Sequence, residues 1–289
     1  MDNKYWYISS YPKSGNTWCR IFISEYLNAL NNKEDEINNY YKSDMISIHT
    51  GEILSSRSWI DDQLGISSSD LTKQELDKVR PLIGLSTQIF DDEPRYHKVH
   101  DSFYKPLNKN KYLVPTLNCK GVIYLIRNPA DVAVSLSHFL NISYVESVDF
   151  MTSNNSALGG SEEHLNQQVY QFLGNWSHHV DSWTLQKEIP LLIIRYEDLI
   201  FNPETNFKKI LKFIQLPIVN SFVSKIAIDT KFNKLREKEN LYGFHEKPNS
   251  CKNFFRSGKI GQGVKKLPKE QYEKIIVNFY KNLKKFCYT

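Results

Sequence analysis

The sequence predicts an α/β protein: a central parallel β-sheet flanked by helices. One observation is a set of three short apolar runs that do not alternate, Tyr5 to Ser10, Gly121 to Arg127 and Pro190 to Arg195. Runs rich in β-branched and aromatic residues, without alternation, suit parallel strands covered on both faces. A second is the helical pattern that follows each run, giving the strand–helix rhythm of a doubly wound sheet. A third is the composition, 40% hydrophobic and 24% charged, which excludes disordered, collagen-like and disulfide-scaffold chains. The 289 residues show no internal repeat and no Pro/Gly/Ser linker, so one domain over residues 1–289 is expected.

The elements follow in order. After the first strand, Thr17 to Leu30 sets Ile21, Phe22, Tyr26 and Leu30 at helical spacing. A shorter strand is expected at Tyr96 to His100. After Gly121 to Arg127, Pro129 occupies a first helical position and Val132 to Phe139 continues the helix. After Pro190 to Arg195, Asn202-Pro203 opens a helix with Phe207, Ile210, Leu211 and Ile214 on one face. His178 and His179 are adjacent on a helix and point about 100° apart, a poor metal site; Trp176, Val180 and Trp183 read as its buried face. Residues 31–92 and 151–163 fit the sheet poorly. They read as acceptor-side insertions, the second small and polar enough for a mobile loop or lid.

The net charge of +5 is too small to name a partner, but it is uneven: Lys247 to Thr289 holds eleven basic residues against Glu270 and Glu273. From Lys265 onward these lysines suit the solvated face of a terminal helix, and no nucleic-acid partner is expected. Cys19, Cys119, Cys251 and Cys287 lie far apart with no zinc-ligand spacing, as in a reduced, cytoplasmic protein without a metal. No signal-like stretch and no run of 18 apolar residues is present, so neither secretion nor a membrane span is expected.

The most informative segment is Ser10-Tyr11-Pro12-Lys13-Ser14-Gly15-Asn16-Thr17-Trp18, a strand-to-helix turn. The N–H groups of Ser14 to Thr17 would point from a helix N-terminus toward an anion. Gly15 permits close approach, Asn16 and Thr17 add side-chain donors and Lys13 adds a charge. This is a phosphate cradle, but not the nucleoside-triphosphate loop GxxxxGK[ST], in which Lys follows the second Gly and a metal-binding hydroxyl follows it.

That turn resembles the YPKSGTTW loop of the sulfotransferases that use 3′-phosphoadenosine-5′-phosphosulfate (PAPS), departing at Asn16. Arg127-Asn128-Pro129-Ala130-Asp131-Val132-Ala133-Val134-Ser135 and the following Leu136-Ser137-His138-Phe139 are similar to the family's RNPxDVAVSxxHF block. The resemblance implies that Arg127 and Ser135 hold the 3′-phosphate, a task the Arg fork suits. Phe254-Phe255-Arg256-Ser257-Gly258-Lys259-Ile260-Gly261 resembles the closing loop FxRxGxxG, with Phe255, Arg256, Ser257 and Gly258 completing the clamp; Gln262-Gly263 then replaces the usual Asp-Trp. Tyr196-Glu197-Asp198 and Thr230-Lys231-Phe232 match segments that, with Trp18, recognise adenine, implying roles for Tyr196, Thr230 and Phe232.

His100, in His97-Lys98-Val99-His100-Asp101, is similar to the family's KTH signature, whose His is the general base. Lys98, two residues earlier on the same strand face, and Lys13 are implied as electrostatic catalysts, while His97 points away and is structural. Together these imply a P-loop-like fold with PAPS as co-substrate and no metal, moving a sulfuryl group to a hydroxyl, with an amine as second choice. The acceptor is expected to be a small molecule, lipid or glycan, its pocket drawing on aromatics such as Tyr40, Tyr41, Trp59 and Tyr104. The family's C-terminal dimer pattern is not evident, which leaves the oligomeric state open. Two rival classes are a metal-dependent nucleotide kinase and a non-catalytic nucleotide-binding protein.

Overall fold

The computed structural model describes residues 5–31, 46, 48, 50–90, 94–106, 110–160, 165–248 and 251–289. In chain order, β1 (Tyr5–Ser10) leads to α1 (Asn16–Asn31), then α2 (Arg57–Leu64), a 3₁₀ turn, α3 (Lys73–Phe90) and β2 (Arg95–Val99). β3 (Cys119–Ile126) is followed by α4 (Pro129–Leu140), α5 (Tyr144–Thr152) and two short strands, β4 (Ala157–Leu158) and β5 (Gln171–Phe172). α6 (Trp176–Thr184) precedes β6 (Leu191–Arg195), α7 (Tyr196–Phe201) and α8 (Pro203–Phe213). The remainder is α9 (Asn220–Asp229), α10 (Phe232–Tyr242), α11 (Gln262–Lys266) and α12 (Lys269–Lys285).

The main sheet has the order β2-β1-β3-β6, and each neighbouring pair is parallel. The chain leaves β1 to one side for β2 and comes back to the other side for β3. Such a reversal opens a crevice beyond the carboxyl ends of the strands, the usual ligand site of an open α/β sheet. Every residue of β1 is buried, and its alternation divides the core: Tyr5 and Tyr7 enter one apolar cluster, Trp6 and Ile8 the other. α6 contributes the fully buried Trp176, Val180 and Trp183 to the first. In the second, Phe22 of α1 stacks on Phe207 of α8 with ring centres 3.6 Å apart.

The strands end where the helix caps dictate. β3 stops at Ile126, leaving Arg127 just outside, because Asn128 caps α4 by accepting from the Ala130 N–H and Pro129 takes the first turn. β2 ends at Val99, so His100 is the first residue beyond its strand.

The described parts of the two poorly fitting stretches contain regular structure. Within 31–92, the Thr50–Leu54 segment runs along β2, with Tyr96 N–H donating to Thr50 O, Lys98 N–H to Glu52 O and Leu54 N–H to Lys98 O. It covers the edge of the sheet, and α2 buries Trp59 and Ile60 beneath it. Tyr40 and Tyr41 lie outside the described residues.

Part of 151–163, expected as a mobile loop, carries regular structure: Met151, fully buried, and Thr152 finish α5, and Ala157–Leu158 pair antiparallel with β5. Residues 161–163 lie outside the described residues. Gly159, at φ +75°, marks close packing there, since a Cβ would stand 2.4 Å from the Val169 carbonyl oxygen. Among the described residues no helix is long and apolar enough to cross a membrane.

Candidate active site

The carboxyl ends of the four parallel strands gather the sequence blocks around one crevice of about 170 Å³. The turn after β1 brings Lys13, Gly15, Asn16, Thr17 and Trp18; the end of β2 brings Lys98 and His100; the end of β3 and the start of α4 bring Arg127 and Ser135. Tyr196 enters from the end of β6, and Thr230 and Phe232 from the junction of α9 and α10. Phe255, Arg256, Ser257 and Gly258 close the opposite side. Ser14 does not line the crevice but is fully buried beside it.

Two polar atoms here lack a partner. The Ser14 Oγ and the Arg127 Nε are buried with no hydrogen bond, a costly condition unless an anion supplies the acceptor. The rest of the Arg127 guanidinium is engaged, Nη1 donating to the Lys13 carbonyl at 3.0 Å and Nη2 to the Lys259 carbonyl at 3.1 Å. It also lies 4.3 Å from the centre of the Tyr196 ring. Arg127 therefore ties the cradle to the closing loop. Its remaining N–H and the helix N-terminus of α1 fit a phosphate.

His100 is set for one role by its hydrogen bonds. The Nδ1 atom stands 2.8 Å from the Ser10 carbonyl; a carbonyl only accepts, so Nδ1 carries the proton and Nε2 keeps a free lone pair. Burial pushes the His100 pKa well below 6.5, and the Lys98 ammonium pushes it the same way. The ring is neutral, as a base must be. Behind it, His179 Nε2 donates to the His100 carbonyl at 3.0 Å, and the Tyr124 hydroxyl donates to His179 Nδ1 at 2.9 Å. Trp183 Nε1 donates to the carbonyl of Asp101, whose carboxylate pairs with Arg80 at 2.7 Å. Asp101 thus anchors the strand end and does not serve His100. His97 accepts from the Glu52 N–H away from the crevice.

Several side chains take parts that the sequence does not predict. Asn16 was expected to offer its amide to a phosphate; instead Nδ2 donates to the Ile8 carbonyl at 2.9 Å and Oδ1 accepts from Arg20 Nε at 3.0 Å. Asn16 fills its amide internally because it stands at the base of α1, above the end of β1. The Thr230 hydroxyl is likewise committed, donating to Ile226 O and accepting from Trp18 Nε1 at 3.2 Å, so that it orients the indole. Tyr196 spends its hydroxyl on the Gly258 carbonyl. The Lys13 ammonium sits 4.2 Å from the ring centres of both Phe139 and Phe254. Burial, with Arg127 and Lys98 adding repulsion, brings its pKa down to about 7.

Three carboxylates that fix the site were missed. Asp131 accepts from the N–H groups of Gly261 and Gly263, at 2.8 and 2.7 Å, and so holds the segment after the closing loop. Gly263 is needed there, since a Cβ would lie 2.3 Å from that of Ala130. Glu239 accepts from the N–H groups of Phe254 and Phe255. Glu246 accepts from Arg20 and Lys98. Asp131 stood inside a quoted block, but Glu239 and Glu246 lie in ordinary charged helix and loop, where only the folded chain gives them partners.

A parallel sheet whose switch point carries a non-Walker phosphate cradle, an Arg clamp and a neutral His defines a nucleotide-dependent group transferase. A sulfotransferase-domain family model matches residues 4–287, and the chain belongs to that family. Among curated relatives, sulfotransferase 1B1 of Mus musculus is 29% identical over 263 residues, which cover 89% of this chain and 73% of that one. Cytosolic sulfotransferase 9 of Arabidopsis thaliana is 27% identical, over 93% and 75% of the two chains. Two solved structures share the fold. Retinol dehydratase in complex with androsterone and the inactive cofactor PAP superposes with TM-score 0.63 at 17% identity, over 98% of this chain and 82% of that one. Mouse sulfotransferase SULT7A1 complexed with PAP does so with TM-score 0.57 at 19% identity, over 98% and 85%. The family excludes the rival kinase reading: the chain is a sulfotransferase.

Proposed function

We propose that the chain, acting as one domain, moves the sulfuryl group of PAPS to a hydroxyl of a small molecule in the cytoplasm. Retinol and androsterone lipids and a flavonol appear in the names of similar proteins, so an alcohol or phenol on an apolar body comes before a glycan or an amine. The observation that carries the reading is the free Nε2 of His100 within the crevice that holds the unpaired Arg127 Nε. The acceptor proton passes to Nε2 as the acceptor oxygen bonds to sulfur. The bond from sulfur to the 5′-phosphate oxygen breaks, and its electron pair leaves on the bisphosphate. Charge builds on that leaving oxygen and on the sulfuryl oxygens, where Lys13 and Lys98 stabilise it.

Transfer from radiolabelled PAPS to a panel of phenols, aliphatic alcohols, sugars and amines tests the reading. His100→Ala should slow turnover by about 10²- to 10⁴-fold and leave bisphosphate binding intact; equal loss of both would remove the base role. Because burial holds the His100 pKa well below 6.5, wild-type turnover should persist on the acid side of that value.

A further inference from the structure

Lys98 and Arg20 come from different elements, β2 and α1, and their cationic groups converge on the Glu246 carboxylate. Arg20 Nη2 approaches its two oxygens at 2.7 and 2.6 Å, and Lys98 Nζ donates to Oε2 at 3.1 Å. All three side chains are nearly sealed from solvent, Arg20 at 2%, Glu246 at 5% and Lys98 at 8% exposure. Yet Lys98 and Glu246 both line the crevice that holds His100. Arg20 is itself fixed, since its Nε donates to Asn16 Oδ1 and the Asn16 amide donates to the end of β1. Phe244, two residues before Glu246, packs against Phe254 and Phe255 with ring centres 4.9 and 5.3 Å away. The carboxylate is thereby joined to the first turn of α1, to β2 and to the closing loop.

Two buried cations this close repel unless a carboxylate lies between them, and a lysine on a flexible stem has no fixed place of its own. Resting on the assignment of Lys98 to the sulfuryl oxygens, we propose that Glu246 is the positioning residue of the transfer centre. Its carboxylate, anchored by Arg20, holds the Lys98 ammonium beside His100. Glu246 is consumed by two cations and is not a receptor for a cationic acceptor. The charged and titratable groups facing the Lys98–Glu246 pair are Arg20 from α1, Lys13 from the turn after β1, His100 just past its own strand, and the exposed His245, whose Nε2 lies 3.9 Å from Glu246 Oε1. Burial lowers the Lys98 pKa, Arg20 lowers it further, and Glu246 opposes both.

The test uses the full chain and two readouts that need no knowledge of the acceptor. One is release of radiolabelled sulfate from radiolabelled PAPS with water as acceptor: water oxygen bonds to sulfur, the sulfur–phosphate oxygen bond breaks and the bisphosphate leaves. The other is competitive acetylation with peptide mapping, which reads the titration of Lys98. Glu246→Gln should slow release about tenfold, less than the roughly 10²-fold typical of deleting a direct electrostatic contact. It should also shift the Lys98 midpoint, and the alkaline limb of the rate, to lower pH.

Bisphosphate affinity by calorimetry should stay within about twofold, and Glu246→Asp should recover part of the rate; neither matters for a merely structural carboxylate. In a Lys98→Ala background the Glu246→Gln effect should vanish. An unshifted Lys98 midpoint, or a rate loss matched by loss of bisphosphate binding, overturns the proposal. If Lys98→Ala slows release and Glu246→Gln does not, the Glu246 assignment alone fails; if Lys98→Ala has no effect, the reading beneath it fails as well.

Discussion

Lys13 and Lys98 both line the crevice, but one rests on aromatic rings and the other on a carboxylate. The Lys13 ammonium lies between Phe139 and Phe254, and burial brings its pKa down to about 7. Lys98 is tied to Glu246 and, through it, to Arg20. Ring faces attract a cation by about 0.5–2 kcal/mol, little enough for an incoming phosphate to displace them. A buried ion pair is held far more firmly, because breaking it strands a charge. The difference separates a lysine that goes to its ligand from one that stays at the reacting centre.

The largest expected effect tests the fixed lysine. Lys98→Ala should lower turnover about 10²-fold while calorimetry finds bisphosphate affinity little changed; a collapse of binding would erase the distinction between the two lysines. Next comes Arg127→Ala, which removes the charged donor to the phosphate and the tie between the cradle and the closing loop. Hydrogen bonds to charged groups are worth about 1.5–3 kcal/mol, so bisphosphate affinity should fall roughly 10- to 100-fold.

Lys13→Ala should weaken the bisphosphate about tenfold, the effect of one charge-assisted contact. Its pH signature is sharper than its size. Free Lys13 titrates near 7, and a bound anion must raise that value. Between the two values, therefore, binding takes up a proton and affinity falls as pH rises. Calorimetry at pH 8 in buffers of different ionisation enthalpy should detect this uptake in the wild type and not in Lys13→Ala. The smallest effect belongs to Phe254→Leu, which takes away one ring of the clasp. Leucine keeps the apolar burial but not the attraction of the ring for the cation, so the Lys13 pKa should fall and the decline in bisphosphate affinity should begin at lower pH; an unchanged profile would mean that the rings do not hold the lysine.

The turn after β1 and the end of β3, which line the crevice, were legible because their patterns are local. A cradle needs a strand, a turn and a helix in succession, so residues 10–18 show it as a continuous word, as 127–135 show the second clamp. The reacting corner was only half legible. His100 and Lys98 stand two residues apart at the end of β2, but Glu246 is 148 residues from Lys98 and in no motif. Asn16 shows a related limit: the sequence shows a polar side chain at a helix start, and only the fold shows that its amide already bonds the Ile8 carbonyl and Arg20. In the 151–163 segment composition hid the end of α5 and the β4 pairing, since Ser, Asn and Gly serve caps and close packing as readily as open loops.

By itself, then, the sequence determined the parallel sheet, the order of its strands and helices along the chain, and the residue types that line the crevice. Periodicity and turn chemistry are properties of neighbouring residues, and the sequence states them directly. Only the tertiary structure decided which polar atoms are left over for a ligand and which are already paired. It committed Asn16 and Thr230 to the protein, left the Ser14 Oγ and Arg127 Nε without partners, and gave each lysine its different support. Pairing is settled by groups far apart in the chain, and burial makes each unmade or completed pair count.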